Sequence, residues 1–74
     1  MTPETLVRMA NQIADFFKSQ GDSEAIAGTE DHILKFWDPR MRAQLMAHLD
    51  AGGQGLTLIA RQAAEKIRAR RTAA

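Results

Sequence analysis

Backbone punctuation constrains this chain more than any other feature. Proline or glycine recurs at Thr2-Pro3, Gly21, Asp38-Pro39 and Gly52-Gly53, and little else interrupts the sequence. Proline is tolerated in the first turn of a helix, where its missing N–H is no loss. Glycine suits the residue just past a helix end, where backbone of positive φ is needed. Between these marks apolar residues recur at steps of three and four, and the strict alternation of a strand is absent. The expected fold is all-α, a small bundle of three to four helices with short connections and mostly antiparallel neighbours.

The first helix is expected to start after Thr2, with Pro3 in its first position, and to carry the stripe Leu6, Met9, Ala10, Ile13, Phe16 and Phe17 up to a cap at Gly21. The second is expected to be capped by Asp22 or Ser23. Its stripe is Ile26, Ile33, Phe36 and Trp37, joined by Ala25 and by Thr29 or Glu30. Gly28 lies inside it, where it either breaks the helix or permits a close neighbour; close contact is the favoured reading. Pro39 biases Asp38 away from helical backbone, so Asp38 reads as the cap of a third helix bearing Met41, Leu45, His48 and Leu49. The fourth is expected from Thr57, with Leu56 as a staple residue and a thin face of Ile59, Ala60, Ala63, Ala64 and Ile67.

At 74 residues the chain predicts one domain, over 1–70, with a frayed tail over 71–74. Cysteine is absent, which excludes disulfides, thiolate metal sites and cysteine nucleophiles, and fits a cytoplasmic location. An unstapled core of this size supplies about 3–5 kcal/mol, so such a chain has idealised packing or leans on a partner. No apolar run reaches membrane-spanning length, and the N-terminus lacks the layout of a secretory signal.

Charge is unevenly distributed. Residues 1–60 carry five Lys/Arg against eight Asp/Glu, whereas 61–74 carry Arg61, Lys66, Arg68, Arg70 and Arg71 against Glu65. The whole is short of the dense positive face of a nucleic-acid binder. A helix-turn-helix reading would place Arg40 and Arg42 on phosphates, but Gln44, Met46, Ala47 and Asp50 offer few base-reading groups. His32 and His48 lack metal-ligand spacing. GGQGLT lacks the lysine and the preceding strand of a phosphate-binding loop and reads as a helix stop with a tight turn. No catalytic constellation emerges. FWDPRMR stands out, because tryptophan and arginine are enriched at interface hot spots. Its aromatics also serve as core, and both readings hold if one ring faces inward and one outward.

Three segments, LVRMANQIADFF, HILKFWDPRMR and HLDAGGQGL, together resemble the delta subunit of soluble bacterial NAD-dependent formate dehydrogenases, from about Leu6 to Ala64. One departure is Leu58, where family members often carry proline. The resemblance implies a non-catalytic accessory subunit that supports assembly, cofactor loading or stability of a complex. It implies no cofactor in this chain. The larger subunits would carry a bis-molybdopterin guanine dinucleotide centre with molybdenum or tungsten, iron–sulfur clusters and FMN. The alpha subunit is the expected partner, with no nucleic acid and no membrane. The expected docking surface is Phe36, Trp37, Arg40, Met41, Arg42, His48, Gly52, Gly53, Gly55 and Leu56. The alternative is a free-standing helical regulatory or nucleic-acid-binding domain.

Overall fold

A computed structural model describes the backbone of residues 1–72 and the side chains of residues 1–70. The helices are α1 (Pro3–Phe17), α2 (Asp22–Phe36), α3 (Pro39–Asp50) and α4 (Leu58–Thr72), with a single 3₁₀ turn over Lys18–Gln20. No strand occurs among the described residues. The tail expected over 71–74 lies at and beyond the limit of the described residues.

The local chemistry explains most boundaries. Thr2 accepts from the Thr5 amide at 3.2 Å with Pro3 beginning α1, and Asp38 accepts from the Met41 amide at 2.8 Å with Pro39 beginning α3. The end of α3 is a Schellman closure. The Gly52 amide donates to the Leu49 carbonyl and the Gly53 amide to the His48 carbonyl, with Gly52 at φ +121°. Two expectations need correction. Gly21 does not cap α1, which ends at Phe17; it follows the 3₁₀ turn and donates to the Lys18 carbonyl. Neither Asp22 nor Ser23 caps α2. Gly21 stands at its N-cap without a side-chain bond, and Asp22 and Glu24 fall in the first turn, where they favour the helix dipole. Thr57 precedes α4, and its hydroxyl accepts from the Ala60 amide at 3.4 Å.

All four helices contribute to one core: Leu6, Ala10 and Ala14 from α1, Ile33 from α2, Leu45, Met46 and Leu49 from α3, and Ala60, Ala64 and Ile67 from α4. Trp37 and Leu56 fill it from the connections. The alanine face of α4 is fully buried, and its small side chains allow the helix to lie close to α2. Met46, not counted in the expected α3 stripe, is 3% exposed, because the stripe is wider than its leucines suggest. Buried polar groups are matched. Thr29 donates to the Ala25 carbonyl at 2.7 Å, and among the described residues no buried side-chain nitrogen or oxygen lacks a partner.

Candidate docking surface

Two adjacent phenylalanines in a helix project about 100° apart, so Phe16 and Phe17 cannot share one buried face. Phe17 leans over Gly28 of α2, whereas Phe16 is 75% exposed. The two rings meet edge to face at 5.1 Å. One turn further along α2, the His32 ring lies 4.7 Å from that of Phe36, which is 72% exposed. An open groove of about 390 Å³ runs along the α1–α2 seam, lined by Met9, Gln12, Ile13, Phe16, Phe17, His32 and Trp37. Its walls are aromatic and aliphatic, with polar relief from Gln12 and His32. Uncovered apolar faces are enriched at protein contacts and ligand grooves. The sequence held a signal for it in the consecutive Phe16 and Phe17, of which one had to face outward. His32, beside Phe36, is half-buried.

The residues singled out around FWDPRMR do not form one surface. Trp37 is 5% exposed and closes the core, while its neighbour Phe36 faces out, giving the inward and outward pair the sequence allowed. Arg40 is exposed and Met41 half-buried. Arg42 reaches back to cap α2, donating from Nη1 to the Leu34 carbonyl at 2.9 Å. Leu56 and Gly53 are buried, and Gly52 and Gly55 are exposed.

The 52–57 connection is held by side chains from three helices. The Asn11 amide donates to the Gly55 carbonyl and accepts from the Thr57 amide, both at 3.0 Å. His48 Nε2–H donates to the Gln54 carbonyl at 2.7 Å, and Arg61 donates to the Gly53 carbonyl at 3.0 Å. His48 and the glycines therefore serve the turn itself. Asn11 escaped sequence reading because its partners lie more than forty positions away.

Two cations of α4 are paired with acids of other helices while staying open to solvent. Arg68 bonds Asp50 of α3 at 2.8 Å, and Arg70 bonds Glu30 of α2 at 2.5 Å, with Glu30 only 8% exposed. The charge asymmetry along the sequence is thus partly neutralised in space. Among the described residues no group of three or more His, Asp or Glu is placed to hold a metal, and no helix is long and apolar enough to cross a membrane.

A sequence model of one family, described as NADH-dependent formate dehydrogenase delta subunit FdsD, matches residues 5–64. The match takes in α1, α2, α3 and the first half of α4, and so both walls of the aromatic groove. No curated protein and no solved structure matches the chain.

Proposed function

The chain belongs to the NADH-dependent formate dehydrogenase delta subunit family, and on that premise we propose that it is a non-catalytic accessory subunit of such a complex. In this role it docks on a larger subunit, the alpha subunit, and supports assembly, cofactor loading or stability. The pterin-bound metal, the clusters and the flavin belong to the larger subunits, and the complex works in the cytoplasm without nucleic acid or membrane as a partner.

The observation that carries this reading is the uncovered aromatic face of the α1–α2 seam. Phe16 and Phe36 together present large apolar area on a domain of only 74 residues. In water that area is unfavourable; against a partner it supplies hot-spot contact. Gln12 and His32, which line the groove, supply polar groups at that face. The nucleic-acid alternative loses support, since no lysine or arginine lines the aromatic groove to follow a phosphate backbone.

The test is affinity purification of tagged chain from its native host, with mass spectrometry of what accompanies it. Recovery of formate dehydrogenase subunits is expected. The double substitution Phe16→Ala/Phe36→Ala removes no core contact, so it leaves the circular dichroism spectrum intact and abolishes co-purification. Failure of the unsubstituted chain to bring any such subunit would refute the proposal. Deleting the chain then separates the roles: loss of metal and pterin from an otherwise complete complex means cofactor loading, and loss of the complex itself means assembly or stability.

A further inference from the structure

Helix α2 has a second flank. At 100° per residue, His32 and Leu34 project roughly 200° apart, so the side of α2 opposite the aromatic face is a separate surface. It lines another open groove, of about 480 Å³, bounded by Leu34 of α2, Pro39, Arg42 and Ala43 of α3, and Ile67 and Arg70 of α4. The two grooves share no lining residue.

The chemistry of this groove differs from that of the first. Its floor is aliphatic, made by Leu34, Pro39, Ala43 and Ile67. Its rim carries two guanidinium groups, each already oriented by an internal bond: Arg42 Nη1 on the Leu34 carbonyl and Arg70 Nε on Glu30. A guanidinium has five N–H donors in a rigid fork, so each arginine retains donors in a direction its internal partner has fixed. Lys66, exposed one turn before Arg70 on α4, adds positive charge at the same end. The acids close in sequence to the lining residues of α2 and α3 are engaged: Glu30 by Arg70, Asp31 by Lys35 and Asp38 by the Met41 amide. An apolar floor with prealigned cationic forks matches a carboxylate presented among apolar side chains. It is a poor match for a phosphate backbone, which brings little apolar surface.

We infer that the α2–α3–α4 groove receives a segment of a larger subunit in which an Asp or Glu is flanked by apolar residues. The inference rests on the accessory-subunit reading and adds to it a second contact on the opposite flank of α2, one that depends on charge where the aromatic contact does not.

Position 43 provides the test, because Ala43 lines the groove, is solvent-exposed and lies on a helix that tolerates Glu and Lys equally. Ala43→Glu and Ala43→Lys add side chains of similar bulk and opposite sign. Binding of each full-length chain is measured against the larger subunits purified from a strain lacking this chain, at low and moderate salt, with circular dichroism to confirm the fold. Ala51→Glu, at the far end of α3, controls for net charge. The Lys variant is expected to bind as tightly as the unsubstituted chain, and the Glu variant about tenfold or more weaker, the difference shrinking with added salt. Equal affinity of the two variants, whether both weakened or both unchanged, overturns the inference. If they are equal while Phe16→Ala/Phe36→Ala still abolishes association, the accessory-subunit reading stands and this groove alone is refuted. If the unsubstituted chain does not bind at all, both fall together.

Discussion

Replacing Gly28 with alanine sets two effects of known size against each other. Gly28 lies within α2, where alanine gains about 1 kcal/mol of helix propensity. A Cβ at this position would stand 2.8 Å from Phe17 Cδ1 and 3.0 Å from both Cε1 and Cγ. The contact involves the root of the ring as well as its edge, so a small rotation cannot clear it. Relief requires the helices to part or the half-buried ring to swing into water. Overpacking of this kind costs about 1–3 kcal/mol. Gly28→Ala is therefore expected to destabilise the domain by about 1 kcal/mol net, lowering Tm by about 4–8 °C for a domain of this size. The decisive measurement is a double-mutant cycle with Phe17→Ala, read by urea unfolding at 222 nm. Once the ring is gone only the propensity remains, so Gly28→Ala should stabilise the Phe17→Ala background by about 1 kcal/mol. The change of sign amounts to a coupling near 2 kcal/mol. A coupling below about 0.5 kcal/mol, or stabilisation in the unsubstituted chain, would show that Gly28 is not there to admit Phe17.

Two further substitutions probe the core and the α3–α4 connection. Trp37→Ala removes a buried indole from the junction of α2 and α3 and is expected to cost about 3–5 kcal/mol, comparable to the whole stability of such a domain; retention of a cooperative thermal transition would contradict that. Asn11→Ala leaves the Gly55 carbonyl and the Thr57 amide without their side-chain partner and is expected to cost about 1–2 kcal/mol. Hydrogen exchange should show the Thr57 amide losing protection while amides in the middle of α2 keep theirs.

The boundaries that were legible in the sequence rest on strictly local chemistry. Thr2-Pro3, Asp38-Pro39 and Gly52-Gly53 each act through bonds spanning only a few residues, and each behaves as its residue types require. Gly28 was legible too, as a close approach inside an unbroken helix, although the identity of its neighbour was not. Features that depend on which helices become neighbours were hidden. Arg42 resembles a surface cation in sequence but caps α2 across the corner, and Arg70 resembles part of a free basic tail but meets a buried glutamate forty residues earlier. The 3₁₀ turn after Phe17 left Gly21 outside the helix it was expected to cap, because the chain tightens its last turn before reversing. For the docking surface, sequence pointed to the α2–α3 corner as a unit. Packing divided that unit, drawing Trp37 inward and leaving Phe36 outside against His32, while His32 joins Phe16 in lining a groove that only the α1–α2 pairing creates.

The hydrogen bonds from Asn11 to Gly55 and Thr57 also bear on timing. They join the first helix to the threshold of the last, across as many as 46 positions. At about 5–20 residues per second, a ribosome takes about 2–9 s to supply the second half of that pair. Throughout this interval α1 has been synthesised while its partner in the connection does not yet exist, and the apolar stripe it will bury against α4 has nothing from α4 to meet. The newborn chain thus passes through a stage in which its most apolar helix is complete and covered by α2 and α3 alone, and it is more exposed to aggregation before its last helix arrives.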